Sequence, residues 1–165
     1  MNPVHYSSKS VIWSTPPDFF KSQDAKFGFT LDVCALPENA KCKKFFTPEI
    51  DGLKQEWSGV CWMNPPYGEP EHPCKPNCKK KICEKRGYHN TEYIPGISDW
   101  VMKAYREASL LKRCTVVGLL PARTDTYWFH NFIYRQADVQ FIQGRLKFGG
   151  SSNAAPFPSM IVIWR

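Results

Sequence analysis

The chain has 165 residues, 42% of them hydrophobic and 22% charged, with a formal net charge of +7. That length suits one domain folding on its own apolar core, and an aromatic content of 15% argues against disorder. No run of eighteen apolar residues exists to span a bilayer. Met1 to Trp13 carry neither the apolar stretch nor the cleavage site of a secretion signal. The composition reads as a basic, soluble, intracellular domain in a reducing compartment, with Cys34, Cys42, Cys61 and Cys114 as small buried hydrophobes and Cys74, Cys78 and Cys83, in a lysine-rich segment, needing another explanation.

Taken in chain order, Thr15-Pro16-Pro17-Asp18-Phe19-Phe20 predicts a turn into a helix, with Thr15 a candidate cap and proline early. Residues 27–34 (FGFTLDVC) predict a strand, 37–42 a short polar helix, and Lys44-Phe45-Phe46 a second short strand. Residues 59–63 (GVCWM) form a nearly continuous apolar run, expected for a strand buried on both faces, which the prolines of Asn64-Pro65-Pro66-Tyr67 bring to an end. From Gly68 to Ile97 apolar periodicity fades and Lys, Pro, Cys and Glu accumulate. A helix fits 98–113, with Ser98 as cap and Trp100, Val101, Ala104, Tyr105, Ala108 and Leu111 on one face. Residues 114–120 repeat the buried-strand pattern, 126–136 read as an amphipathic helix, and 140–148 and 160–164 as strands. There are no internal repeats. Strands alternating with helices, then two terminal strands, predict an α/β sheet with helices on both faces. Ligands gather at the carboxyl ends of such strands, which directs attention to Asp32, Asn64 and Pro121.

Asn64-Pro65-Pro66-Tyr67 is the most informative tetrapeptide. The exocyclic amine of adenine is a poor nucleophile because its lone pair is delocalised into the ring. A site that alkylates it must accept the amine hydrogens and draw the nitrogen toward tetrahedral geometry. The Asn64 side-chain oxygen and the Pro65 carbonyl are suitable acceptors, the prolines stiffen the loop, and Tyr67 offers a ring on which an extruded base can stack. The competing reading is a plain strand-ending turn.

The ordered stretches WSTPPDFF (13–20), FTLDVCA (29–35), DGLKQEW (51–57), WMNPPYG (62–68), LLPARTDTYWFH (119–130), GRLKF (144–148) and APFPSMIVIW (155–164) resemble the phage-type DNA N-6-adenine methyltransferases, the Dam-like family. The resemblance covers nearly the whole chain. It implies a single Rossmann-like methyltransferase domain over 1–165, using S-adenosylmethionine and acting on adenine in DNA within the cytoplasm of a phage's bacterial host. It assigns Asn64, Pro65, Pro66 and Tyr67 to catalysis. Thr15 and Pro16 match a pair that approaches the methionine end of the cofactor, and Asp32 stands where an acid meets its ammonium or a water network. Asp51, with Leu53 and Trp57, matches a motif whose acid accepts from the cofactor's adenine amine. Asp32-Val33-Cys34-Ala35 replaces the glycine-rich loop common among methyltransferases, placing Cys34 and Ala35 at the cofactor. The ribose is left to Asp51 or Glu38. As residues alone, Asp32 could equally cap a helix and Asp51 serve as a turn acid. Arg123 and Asp125 either pair at the surface or line the base pocket and grip phosphate.

Cys74, Cys78, Cys83 and His89 supply three thiolates and an imidazole within sixteen residues, a donor set suited to structural zinc, with His72 a rival fourth ligand. The segment 68–97 therefore reads as a zinc-binding insertion, against the alternative of a flexible loop with incidental thiols. Lys75, Lys79, Lys80, Lys81, Lys85 and Arg86 face a single acid, Glu84, which suits contact with DNA phosphates and makes the insertion a candidate for target recognition. Three alternatives stay open at this point: a methyltransferase for RNA adenine, one for a protein glutamine amide, or a catalytically idle zinc-dependent DNA-binding module.

Overall fold

The computed structural model describes residues 13–165, so the secretion-signal reading of Met1 to Trp13 lies, Trp13 apart, outside the described residues. Among these residues no helix is long and apolar enough to cross a membrane. The architecture is mixed α/β, built on one six-stranded sheet.

Helix α1 (Pro17–Phe27) opens on proline in its first turn, where a missing N–H costs nothing. Thr15 is not its cap. Pro16 holds that position, and Gly28 closes the helix in the left-handed region at φ 66°. Phe27, expected in a strand, therefore ends the helix, and β1 is only Leu31–Asp32. Its pairing extends further, because Thr30 N–H donates to Val60 O and Val33 N–H to Trp62 O. Residues 37–42 form turns rather than the expected helix. Asn39 Oδ1 takes the Leu36 N–H and the Asp32 carboxylate takes the Lys41 N–H, so side chains outcompete helical bonding there. Strands β2 (Lys44–Phe45) and β3 (Gly59–Met63) follow; Cys61, Trp62 and Met63 are buried, whereas Gly59 is exposed.

The Cys- and Lys-rich segment 68–97 contains a short helix, α2 (Lys81–Arg86). Helix α3 (Ile97–Tyr105) runs into a single π-helical turn over Arg106–Leu110. Its cap is Gly96 rather than Ser98. The Asp99 carboxylate accepts the Gly96 N–H at 2.8 Å, and a Cβ on Gly96 would lie 2.2 Å from Pro70 N, so only glycine permits this close approach. Trp100, Val101, Ala104 and Ala108 are buried as the pattern predicts, while Leu111 lies beyond the turn and is exposed. Strand β4 (Cys114–Pro121) leads to α4 (Tyr127–Phe132), where Thr126 Oγ1 accepts the Phe129 N–H as cap. This helix stops well before Gln136, as the chain turns through Arg135 at φ 61° into β5 (Asp138–Phe141). The strand expected over 140–148 ends at Phe141, and β6 (Ser159–Trp164) completes the sheet.

The strand order is β2-β1-β3-β4-β6-β5; the first four strands are parallel, and β6 runs antiparallel to both β4 and β5. Met160 to Trp164 and Val116 to Leu120 are buried, as continuous apolar runs in a covered sheet should be. The connection from β1 leads to β2 on one side, while β3 lies on its other side and leads away to β4. This reversal opens a crevice at the carboxyl ends of β1 and β3, between Asp32 and Asn64.

Candidate active site

That crevice is a cleft of about 550 Å³, within the range of small-molecule sites. Ser14 and Thr15 line it before α1, Asp32 at the end of β1, Cys34, Ala35 and Leu36 after it, and Asn64 to Glu69 after β3. Phe46, Gly52, Trp62 and Trp100 add apolar wall. Gly52 packs so tightly that a Cβ would sit 2.1 Å from the Val33 carbonyl.

Asn64 is held by three partners. Its Nδ2 donates to the Trp13 carbonyl at 2.6 Å and to Thr15 Oγ1 at 3.0 Å, while its Oδ1 accepts from the Tyr67 hydroxyl at 2.7 Å. A carbonyl can only accept, so the nitrogen must face Trp13 and the oxygen must face the other way. Both amide hydrogens are thereby spent, and what Asn64 has left to offer is the second lone pair of Oδ1. Tyr67 is only 6% exposed, with its ring set edge-to-face against Phe157 at 5.6 Å and Phe148 at 6.3 Å. Its hydroxyl also lies 3.0 Å from the Leu119 carbonyl, and burial pushes its pKa up, keeping it a donor. Trp13 joins the same aromatic group through Phe148 and Phe157.

Asp32 is buried at the end of β1, and burial raises its pKa to about 6 despite two backbone donors. Those donors are Cys34 N–H at 3.3 Å and Lys41 N–H at 3.0 Å. The turn that replaces a glycine-rich loop is thus folded around the carboxylate itself. A buried acid of this kind suits a ligand with a positive charge. The Cys34 thiol also lines the cleft, but burial and the neighbouring Asp32 push its pKa well up, so it remains a neutral thiol. Pro16 lies next to the wall rather than in it. Asp51 likewise stays outside: its Oδ1 accepts the Leu53 N–H and its Oδ2 pairs with Lys54 at 3.0 Å, leaving Gly52 at the wall.

Residues 74–89 bring three thiols and an imidazole together. The ligand atoms of Cys74, Cys78, Cys83 and His89 all lie within 4.8 Å of one another. The Cys74–Cys83 and Cys78–Cys83 sulfur separations are 3.6 and 3.8 Å. Zn–S bonds of about 2.3 Å in a tetrahedron give sulfur separations of about 3.8 Å, so the donor set has the right size for zinc. A hydrogen bond with His89 lowers the Cys74 thiol to about 6. His72 stands apart from the cluster, against the Tyr93 ring at 5.2 Å.

Lys75, Lys79, Lys80, Lys81 and Lys85 are exposed on this knuckle. Arg86 is not among them, being turned inward toward Glu71 at 2.9 Å. Arg123 lines the cleft mouth, donating to Tyr67 O at 3.2 Å and reaching Glu69 at 3.4 Å. Sequence reading missed Trp13, Phe157, Glu71 and Trp100 as site residues. Trp13 and Phe157 stood inside quoted stretches, but nothing local marks a backbone carbonyl or a wall ring.

The raised pKa of Asp32 has a sign that can be measured. Its folded value of about 6 exceeds the ordinary 3.8, so its contribution to stability is greatest below pH 4 and is lost as pH rises through 6. Relative to Asp32→Ala, the wild-type protein should therefore melt at a comparatively higher temperature at pH 4.5 than at pH 7.5. A thermal midpoint difference that is flat with pH, or runs the other way, refutes the assignment.

A family model described as DNA N-6-adenine-methyltransferase (Dam) matches residues 5–165. A DNA N-6-adenine-methyltransferase of Haemophilus phage HP1 is 30% identical over 166 residues, covering 95% of this chain and 80% of that protein. Another protein of that name, from Escherichia phage T1, is 27% identical over 138 residues, covering 82% of this chain and 46% of that protein. Over almost its whole length, then, the chain belongs to the DNA N-6-adenine-methyltransferase (Dam) family.

Proposed function

We infer that the chain transfers a methyl group from S-adenosylmethionine to the N6 amine of adenine in DNA, on a Rossmann-like sheet. The observation that carries this reading is the Asn64 amide, fixed as a hydrogen-bond acceptor at the mouth of a cleft sized for a cofactor. A site whose remaining valence is an acceptor selects an amine over a carbonyl at the same position. The parallel strand order with its reversal between β1 and β3 supports the Rossmann-like assignment.

The residues of the cleft suit this cofactor. Asp32 is a buried carboxylate that favours a cation, and Leu36, Phe46 and Trp100 give apolar surface for a purine. Thr15, Cys34 and Ala35 line the space between, with Pro16 stiffening the approach. Asp51 acts through its loop, which holds Gly52 against the wall. When bound, the cofactor supplies an electrophilic methyl group on a sulfonium. Asn64 Oδ1 and the Pro65 carbonyl accept the two amine hydrogens, which restores electron density to the nitrogen and orients its lone pair. No strong base is required, since the amine proton becomes acidic only after the new N–C bond has formed. Tyr67 holds Asn64 Oδ1 from behind and, with Phe157 and Trp13, gives the base an aromatic wall.

Zinc held by Cys74, Cys78, Cys83 and His89 organises the segment 68–97, which has too few apolar residues to fold on its own core. The metal is structural, because the reaction has no need of a Lewis acid. Lys75, Lys79, Lys80, Lys81 and Lys85 on the outside of the knuckle meet DNA phosphates, and Arg123 meets DNA at the cleft mouth.

The reading is tested by incubating the protein with labelled cofactor and DNA and assaying N6-methyladenine. Asn64→Ala should lower turnover by about 10²–10³-fold, or ~3–4 kcal/mol, with cofactor affinity little changed. Asn64→Asp should also fail, although it keeps an acceptor, because its carboxylate would stand oxygen to oxygen against the Trp13 carbonyl. Normal turnover in either variant refutes the role.

DNA affinity should fall steeply between about 50 and 200 mM salt, and replacing Lys79, Lys80 and Lys81 with glutamine should flatten that dependence. An unchanged slope returns these lysines to the solvent. Protein purified without chelator should carry one zinc per chain by elemental analysis, and Cys78→Ser should lose it. Less than about a tenth of an equivalent in the wild type removes the metal from the account.

A further inference from the structure

We propose that Arg86 is a positioning residue that ties the metal knuckle to the wall of the catalytic cleft, with Cys83 on one side and Glu71 on the other. This rests on the methyltransferase and zinc readings above, and it removes Arg86 from the phosphate-binding set to which its sequence context assigns it.

The side chain of Arg86 is only 16% exposed, unlike the lysines around it. All three of its guanidinium nitrogens are engaged. Nη1 donates to Glu71 Oε2 at 2.9 Å, Nε to the Tyr88 carbonyl at 3.0 Å, and Nη2 to Cys83 Sγ at 3.5 Å. The guanidinium also lies over the Tyr88 ring, 4.8 Å from its centroid. Three of its five N–H groups are thereby spent and little of the side chain faces solvent, so the group is poorly placed to grip a phosphate.

Its partners lead in two directions. Cys83 is the buried member of the metal donor set. Three thiolates and a neutral imidazole around a dication leave one net negative charge, and Arg86 is the cation placed against it. Glu71 belongs to the cleft: it lines the cavity, and its backbone exchanges two hydrogen bonds with Ile94, another lining residue. Glu71 Oε2 also accepts from Asn90 Nδ2 at 2.7 Å, and the Asn90 carbonyl accepts the Cys74 N–H at 2.8 Å. The loop of contacts is therefore closed, running Cys83, Arg86, Glu71, Asn90, Cys74. Metal ligands stand at both ends and the cleft wall in the middle. Lysine, with one nitrogen, cannot span Cys83 and Glu71 together.

The test uses full-length, metal-loaded protein and the variants Arg86→Gln, Arg86→Lys, Glu71→Gln and the Arg86→Gln/Glu71→Gln double. Four quantities are read: zinc affinity by chelator competition, the sulfur-to-metal absorption band after cobalt(II) substitution, turnover on DNA, and the salt dependence of DNA binding. Arg86→Gln should weaken zinc 10–100-fold, shift the cobalt band and lower turnover, with the salt slope unchanged. Arg86→Lys should restore none of these, and it serves as the milder variant should Arg86→Gln fold poorly. Glu71→Gln should lower turnover as well, and the double variant should be little worse than the poorer single.

The inference is overturned if Arg86→Gln reduces the salt slope by about one phosphate contact while zinc affinity, cobalt band and turnover stay put. It is equally overturned if Arg86→Lys behaves as wild type, or if Glu71→Gln tightens DNA binding without loss of turnover. A wild-type protein that takes up no zinc overturns the zinc reading and the Cys83 arm with it. Metal-loaded wild type whose Arg86 and Glu71 effects simply add overturns the present inference alone.

Discussion

The Asn64 amide is short of freedom in a way that organises the rest of the site. Two donors from one nitrogen are committed to Trp13 and Thr15, residues that precede α1 by a few positions and lie some fifty residues from Asn64 in the chain. The segment leading into the first helix is therefore stitched to the loop after β3, across the crevice where the sheet reverses its order. That stitch closes one end of the cleft and fixes the orientation of the acceptor. Tyr67 completes it with a single hydroxyl hydrogen that lies between two acceptors, Asn64 Oδ1 at 2.7 Å and the Leu119 carbonyl of β4 at 3.0 Å. Three parts of the chain, the segment before α1, the loop after β3 and strand β4, are thus joined through Asn64 and Tyr67, so the acceptor is held in one orientation.

Charge is distributed to match. Inside the cleft, Asp32 is a carboxylate held in a buried turn, where burial raises its pKa to about 6. Outside, the exposed lysines of the knuckle carry the opposite sign. On the proposed reading, a cationic small molecule and an anionic polymer are drawn to different surfaces and meet at the loop after β3, where Pro65 and Pro66 limit how far the backbone can move. Arg86 alone of the basic residues on this segment is withdrawn from the outer surface, lying between a thiol cluster and a carboxylate.

Much of this was legible in the sequence. Strands Gly59–Met63 and Cys114–Pro121 could be read almost to the residue, because an apolar run ending at proline has few alternatives. The Asn64 tetrapeptide and the Cys74, Cys78, Cys83, His89 set were legible for the same reason: few other roles explain those residue types at that spacing. The helix ends were less so. Ser98 looked like a cap, but Gly96 took the position because the backbone at Glu69 and Pro70 passes against it. Thr15 looked like a cap and instead accepts from Asn64, since Pro16 takes the N-cap position and the helix starts at Pro17.

The sequence by itself determined the class of chemistry, through residue types whose donors and acceptors are fixed by covalent structure. It determined the order of the strands along the chain, through runs that water excludes. Only the tertiary structure decided which nitrogen of the basic cluster faces inward, which histidine joins the thiols, and which way the Asn64 amide points. Those outcomes depend on groups brought together from distant positions: the Trp13 carbonyl, the Glu71 carboxylate, the Tyr93 ring beside His72. A carbonyl has no sequence signature, and a carboxylate fifteen places from its partner looks like any other acid. Proximity created by the fold is what turns them into parts of a site.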